Sequence, residues 1–221
     1  MKYLGPTQSG SEAGVTYSRN RFGQYVRRRA VPVQPRTPSQ VVQRGRMSTN
    51  SAAWRALTST QRAGWTSLGG DISRDDSLGQ SYTFNGFMAY CSVNNNNLDA
   101  GNAIVSDAPA LATPADVLTA TVTATSGGSP ALSIAYTATP LPTGTKLFVY
   151  ASPPVSAGRT FNGDYRLVFV SAAAAASPAN ILSVYIAKFG ALVAGTKIFF
   201  QLQTYFGGFR SGPFLVSSVV A

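Results

Sequence analysis

The residues of this chain best equipped to bind a partner are its arginines. Residues 1–70 contain eleven basic side chains, ten of them arginine, against one acid, Glu12, whereas residues 71–221 contain seven basic and seven acidic side chains. The planar guanidinium group suits arginine to paired contacts with carboxylates, phosphates or carbonyl oxygens. The charge distribution therefore predicts a basic N-terminal segment that binds a partner, followed by an electrically neutral body.

Eight arginines and two aromatic residues of this segment are predicted to contact the partner. They are Arg19, Arg21, Phe22, Tyr25, Arg27, Arg28, Arg29, Arg36, Arg44 and Arg46. Interleaved aromatic and valine residues distinguish the segment from a low-complexity, solvated tail. The sequence is consistent with two kinds of partner. A neighbouring protein would supply carboxylates and carbonyl groups, and a nucleic acid would supply phosphates and stacking bases.

The chain has few of the residues that usually perform catalysis. The chain has no histidine and one cysteine, Cys91, which excludes internal disulfides and His- or Cys-rich metal sites. Without histidine, general acid–base catalysis near neutral pH lacks its usual group. The single acidic cluster, Asp71, Asp75 and Asp76, contains Arg74 and has the composition of a turn. We expect no enzymatic activity, no metal and no cofactor.

The elements that position the arginines are predicted as follows. Residues 1–36 form an extended basic arm, in which glycines and prolines prevent a helix. Residues 37–100 form an anchoring region of two or three short helices. The first two helices begin with the capping boxes at Thr37 and Thr58, and the second is closed by Gly69-Gly70. A third helix spans about residues 83–95, and the asparagines at 94–97 fray its end.

Four apolar residues are expected to cluster between the first two helices: Trp54, Leu57, Trp65 and Leu68. Residues 101–116 are predicted as a linker. Over residues 117–221, seven segments with β-branched or aromatic alternation are separated mostly by turn residues. The predicted fold class is therefore mainly β with a small α part, ending in an immunoglobulin- or fibronectin-like β-sandwich. One of the seven predicted strands covers residues 181–189.

The composition also bears on location. Charged residues make up only 12% of the chain, a share that suits a surface covered by neighbouring molecules. No run of 18 apolar residues is present, which predicts no membrane span. The first residues, MKYLGPTQSGS, lack the apolar stretch of a signal peptide, so we expect no export by that route.

Three stretches resemble an uncharacterised protein type of tailed-phage and prophage genomes. Residues 21–44 fit the arm pattern RxGxYxRxRxxPxxPxTxxQxxxR, and residues 54–65 fit the helix pattern WxxLTxxQRxxW. Residues 84–101, FNGFMAYCSVNNNNLDAG, extend the similarity, and a β-rich tail follows. The resemblance implies a structural setting in a phage particle and supplies no catalytic residues.

The predicted function is a virion structural protein, assembled in the host cytoplasm as a capsid decoration or as a tail or neck accessory. Its expected partners are other virion proteins (major capsid, portal, neck or tail proteins) and copies of itself. One alternative is a nucleic-acid-binding coat protein. Another is a virion-borne carbohydrate-binding module, whose candidate surface aromatics are Tyr205, Phe206 and Phe209.

Overall fold

The computed structural model describes residues 6–20, 23–76 and 78–221. These residues fold mainly as antiparallel β-structure with four helices, which confirms a mainly β chain with a small α part. The chain divides into two compact units, Met1–Arg44 and Gly45–Ala221. We call them the N-terminal unit and the body, and each is described by itself.

The N-terminal unit contains a three-stranded antiparallel sheet. Strands β1 (Gly10–Glu12), β2 (Val15–Asn20) and β3 (Gly23–Arg28) lie in the order β1-β2-β3. Ala13 and Gly14 connect the first two strands with φ angles of 44° and 80°. Positive φ angles at both positions give a two-residue turn the twist of the strands on either side of it. The three strands thus pair with one another, which differs from the single extended arm predicted from the sequence. Residues 29–37 continue without regular secondary structure.

Three helices follow in the chain: α1 (Pro38–Ala56), α2 (Ser59–Asp71) and α3 (Gly86–Asp99). The predicted capping boxes at Thr37 and Thr58 are both formed, each with the glutamine three residues later. Strands β4 (Ser73–Asp75) and β5 (Ser81–Thr83) form a hairpin between α2 and α3. None of the described helices is long and apolar enough to span a membrane.

Two predicted helix ends were wrong. Gly69 and Gly70 lie within α2, because Gly69 allows a close approach rather than a stop. A Cβ atom on Gly69 would lie 2.6 Å from the carbonyl oxygen of Phe84. Helix α3 begins after its N-cap, Asn85, and continues through the asparagines to Asp99.

Two antiparallel sheets make up most of the body. The first has the order β11-β7-β6, from strands β6 (Thr119–Thr125), β7 (Ala131–Thr137) and β11 (Ala179–Asn180). In the second sheet β12 (Thr196–Phe206) is central, between β8 (Lys146–Ala151) and β14 (Phe214–Val219), and β10 (Arg166–Val170) pairs with β8. Short strands β9 (Val155–Ser156) and β13 (Phe209–Arg210) also pair with β12.

The two sheets share the largest apolar core. Alternate residues of β7, β8 and β12 point into this core, as expected for strands with one face on it. Its fully buried members include Leu132, Ile134, Leu147, Ile198 and Phe200. The opposite face of β8 and β12 is covered as well, since Phe148 and Tyr205 pack with Ala100 after α3. The second sheet is therefore buried on both sides over this part of its length.

Residues 181–189 do not form the strand that was predicted for them. They form helix α4 (Leu182–Phe189), whose Leu182, Tyr185 and Phe189 pack on the core at helical spacing. The Asn180 side chain accepts a hydrogen bond from the Leu182 amide, and Gly190 ends the helix with a φ of 92°. The aromatic and β-branched content favoured a strand, but the core contacts follow the period of a helix.

Residues 101–116, predicted as a linker, pack against other parts of the body. The Trp65 indole donates a hydrogen bond to the Ser106 carbonyl at 2.7 Å, and the Thr204 hydroxyl donates to the Ala115 carbonyl. The segment therefore follows the surface of the helices and of β12.

Candidate interaction surfaces

The described arginines of the N-terminal unit, Arg19, Arg27, Arg28, Arg29, Arg36 and Arg44, are exposed. Arg19 lies on β2, and Arg27 and Arg28 lie at the end of β3, where they face Thr16 and Val15 across the strand pair. Successive strand residues point to opposite faces, so Arg19 and Arg28 lie on one face of the sheet and Arg27 on the other.

Among the described residues, no carboxylate lies within ion-pair distance of Arg19, Arg27, Arg28, Arg29 or Arg36. Tyr25 is half-buried on β3. The predicted contact residues Arg21 and Phe22 lie outside the described residues.

The segment after β3 also exposes apolar side chains. Val31 is 76% and Val33 is 87% exposed, and Val41 and Val42 on α1 are both more than half exposed. Arg44 donates a hydrogen bond to the Gln34 side chain at 2.8 Å and is itself exposed. The segment thus presents aliphatic and guanidinium groups together.

Arg46 has a role inside the body instead of the partner contact predicted for it. Its guanidinium lies 2.5 Å from one carboxylate oxygen of Asp99, and the guanidinium of Arg210 lies 2.6 Å from the other. All three side chains are only about one-fifth exposed. One carboxylate therefore joins α1, α3 and β13.

Arg210 is held by further contacts. It donates a hydrogen bond to the Tyr150 hydroxyl and lies 4.6 Å from the centre of the Phe148 ring. Burial raises the pKa of Tyr150, and the nearby positive charge of Arg210 acts in the opposite direction. The Nε atom of Arg210 is buried and has no partner among the described residues.

The asparagine run Asn94–Asn97 is ordered within α3, so the predicted fraying was wrong. Asn94 exchanges two hydrogen bonds with the backbone of Val105, at 2.8 and 3.2 Å. Asn95 accepts a hydrogen bond from the side chain of Asn50, on α1. These two residues attach α3 to the segment after it and to α1.

The second half of the run contacts the β-structure. Asn96 donates a hydrogen bond to the carbonyl of Gly208, and Asn97 accepts one from the Tyr205 hydroxyl at 2.6 Å. Gly208 has a φ of 93°, and a Cβ atom there would lie 2.5 Å from a methyl group of Val93. The four asparagines thus bind four different segments of the body, and glycine allows one of them to approach.

The predicted helix cluster is present. Leu57, Trp65 and Leu68 are buried, and Trp54 packs against them. Sequence reasoning missed Tyr90 of α3, whose ring lies 5.4 Å from Trp54 and 5.1 Å from Trp65. These aromatic contacts stabilise the packing of the three helices.

Two titratable groups of this cluster are held in their neutral forms. Burial raises the pKa of the Tyr90 hydroxyl, with a smaller effect from Cys91 beside it. Burial also raises the pKa of the Cys91 thiol. Cys91 therefore packs as a small apolar side chain, as predicted, and has no activating neighbour among the described residues.

The predicted surface aromatics do not form a cluster. Tyr205 is 3% exposed and packs with Phe148, and Phe209 packs against the helix cluster. Only Phe206, at the turn after β12, is exposed. The buried ring of Tyr205 and the half-buried ring of Phe209 both contribute to the contact between the helices and the second sheet.

Of the acidic cluster, Asp71 ends α2, Asp75 ends β4, and Asp76 lies in the turn between β4 and β5. A carboxylate oxygen of Asp76 accepts hydrogen bonds from the amides of Leu78 and Gln80, at 2.8 and 2.9 Å. Within residues 6–20, 23–76 and 78–221, no group of three or more His, Cys, Asp or Glu residues could hold a metal ion.

The polar contacts that organise the body were not predicted from the sequence. Asp99 and Arg210 are 111 residues apart, and nothing in their local sequence marks them as partners. The asparagine run can be recognised in the sequence. Its position inside an apolar helical pattern is the signal that its side chains make contacts within the body.

Comparisons of this chain with protein-family models, with curated proteins and with solved structures found no match. The arrangement of its residues is therefore the basis for assigning a function.

Proposed function

We propose that this protein is a virion structural protein of a tailed bacteriophage, anchored to neighbouring virion proteins by its N-terminal unit. It would serve as a capsid decoration or cement protein, or as a tail or neck accessory. The observation that carries the proposal is the set of exposed arginines without carboxylate partners among the described residues. Guanidinium groups in this state are available to pair with a neighbour and to set its register.

The apolar residues of the same segment support a protein partner. Protein interfaces combine a desolvated apolar centre with arginine, which is enriched there relative to the rest of the surface. Val31 and Val33 are exposed between Arg29 and Arg36. This alternation of aliphatic and guanidinium groups has the composition of such an interface.

The placement of the arginines favours a protein over a nucleic acid. Arg27 and Arg28 lie on opposite faces of the sheet. A single phosphate backbone would run along one face and leave the other arginines without contacts. A protein lattice can surround the unit and supply acceptors on both sides.

We also propose that the β-structure of the body is an immunoglobulin-like sandwich. Among its seven principal strands, the first, second and fifth share one sheet, and the third, sixth and seventh share the other. Immunoglobulin-like domains distribute these six strands in the same way. Here the fourth strand, β10, pairs with the third, β8. In the particle this domain would face outward, and the N-terminal unit would be covered.

The proposal is tested by particle incorporation. In a phage that encodes this chain, purified particles should contain the full chain at a fixed copy number, measured by quantitative mass spectrometry. A chain without residues 1–36 should be soluble and folded, as judged by circular dichroism, and absent from particles. The matched control is Arg159→Ala, which removes an exposed arginine of the body and should be incorporated normally.

Two results would overturn the proposal. Absence of the full chain from purified particles would exclude a virion role. Normal incorporation of the truncated chain would show that the N-terminal unit is not the anchor.

A further inference from the structure

A polar cavity of about 480 Å³ opens in the body beside α3, the β4–β5 hairpin and the end of β12. Its volume lies in the range of small-molecule binding sites. The lining residues that could contact a ligand are Arg74, Ser92, Asn96, Gln203, Phe209 and Arg210. Among the described residues, no carboxylate lines the cavity.

Each of the two amides of the lining donates one of its two N–H groups to a backbone carbonyl, and its oxygen is free among the described residues. Asn96 donates its amide hydrogen to the carbonyl of Gly208, at 2.8 Å. Gln203 donates in the same way to the carbonyl of Ser211, at 3.1 Å. The amide oxygen of each side chain has no partner among the described residues. The donated N–H group fixes the orientation of each amide, so its oxygen is an available acceptor and its second N–H group an available donor, which suits the hydroxyl groups of a ligand.

The cavity also has an excess of positive charge. Arg74 has no carboxylate within ion-pair distance among the described residues, and its guanidinium lies 5.5 Å from the centre of the Phe84 ring. Arg210 shares the single carboxylate of Asp99 with Arg46, which leaves one positive charge uncompensated. Unpaired Arg74 and the single carboxylate shared by Arg46 and Arg210 leave a net positive charge at this concave surface, which attracts anions.

We propose that this cavity binds an acidic saccharide, that is, a sugar that carries a carboxylate. Arg74 pairs with the carboxylate, the oxygens of Asn96 and Gln203 accept hydrogen bonds from hydroxyl groups, and the Phe209 ring contacts the apolar face of the sugar. A simple anion leaves the amide acceptors without donors. A neutral sugar leaves Arg74 without its charged partner. The site lies in the body and does not depend on the proposed virion role.

The test is isothermal titration calorimetry on the full chain. The acidic probes are galacturonate and glucuronate, and the comparison ligands are their neutral counterparts, galactose and glucose, together with acetate. We expect at least one acidic sugar to bind about tenfold more tightly than its neutral counterpart and than acetate, because a charge-assisted pair contributes about this factor. Arg74→Gln should remove this preference and leave the affinity for neutral sugar unchanged.

The control is Arg55→Gln, which removes one exposed positive charge of the body away from the cavity and should leave every affinity unchanged. Thermal unfolding checks that both variants are folded. The proposal is overturned if none of the acidic sugars binds more tightly than its neutral counterpart. It is also overturned if acetate binds as tightly as the acidic sugars, or if Arg74→Gln binds them like the unchanged chain.

Discussion

The N-terminal unit and the body use the same side chain in opposite ways. In the body, Arg46 and Arg210 both pair with Asp99, and all three groups are mostly buried. In the N-terminal unit, Arg27 and Arg28 are exposed and have no carboxylate partner among the described residues. The comparison teaches that the position of the few acids, rather than that of the arginines, separates arginines with an internal ion pair from arginines without one among the described residues.

The two regions also differ in the burial of their apolar residues. The body buries side chains as large as Trp65, Phe148 and Phe200 completely, whereas the N-terminal unit exposes Val31 and Val33. A unit of about forty residues has too little volume to enclose a core of its own. On the proposed function, the N-terminal unit would gain stability from the neighbouring protein that covers it.

The largest expected effect comes from breaking the internal pairs. Asp99→Asn should lower the free energy of unfolding by about 3 kcal/mol, because two mostly buried guanidinium groups lose their counter-charge. Chemical denaturation with urea measures the change. The matched control is Asp164→Asn, whose exposed pair with Arg166 should contribute at most about 0.5 kcal/mol. Equal effects of the two variants would contradict the internal role of Asp99.

The next effect concerns the contact of α3 with the turn after β12. Gly208→Ala should lower the free energy of unfolding by about 2 kcal/mol, because the added Cβ meets Val93 and the φ of 93° is unfavourable for alanine. The control is Gly128→Ala, where a Cβ meets open space. Thermal unfolding followed by circular dichroism compares them, and a variant at Gly208 as stable as the one at Gly128 would contradict the close approach.

A smaller effect is expected from pH. Burial raises the pKa of Tyr185 above its ordinary value of 10.0, and its hydroxyl donates a hydrogen bond to the Ser152 carbonyl. Above pH 10 the unfolded chain releases this proton while the folded chain retains it. The contribution of Tyr185 to the free energy of unfolding is therefore fully present below pH 10 and decreases as the pH rises further. Urea unfolding at pH 8, 9.5 and 11 should show this fall, with a shallower slope for Tyr185→Phe. A slope unchanged in that variant would refute the assignment to Tyr185.

The smallest effect on stability is expected in the N-terminal unit. Changing Arg27, Arg28 and Arg29 together to Ala should alter the free energy of unfolding by less than about 0.5 kcal/mol, since none has an ion-pair partner among the described residues. Incorporation into particles should nevertheless fall, and DNA binding should be weak in both chains.

The salt dependence of DNA binding distinguishes the two kinds of partner for these arginines. Tight binding by the unchanged chain, with a slope of log K against log salt near the number of arginines removed, would favour the nucleic-acid alternative.

Local signals in the sequence were sufficient for α1, α2 and α3 and for the six longer strands of the body, but not for the strands of the N-terminal unit or the short strands of the body. The capping boxes at Thr37 and Thr58 and the alternation in β7 and β12 each depend on neighbouring residues only. Helix α4 was missed because its aromatic and β-branched residues are typical of strands, and only the core decides which period they follow.

The interactions between elements could not be predicted in this way. The Asp99–Arg210 pair and the cavity beside Arg74 join residues more than a hundred positions apart. Local propensity carries no information on such pairs, which arise only when the second sheet packs on α3.

The asparagine run has a consequence for insertions and deletions. Each of its four side chains depends on its angular position around α3, where neighbouring residues are separated by about 100°. Adding or removing one residue just before Asn94 would rotate all four amides together around the helix axis. Each amide would then point away from its own hydrogen-bond partner. Substitution at one asparagine removes one contact, but a change in helix length at this point disconnects the helices from the second sheet altogether. The spacing from Asn85, where the helix begins, to Asn97 is thus as much a part of the structure as the residues themselves.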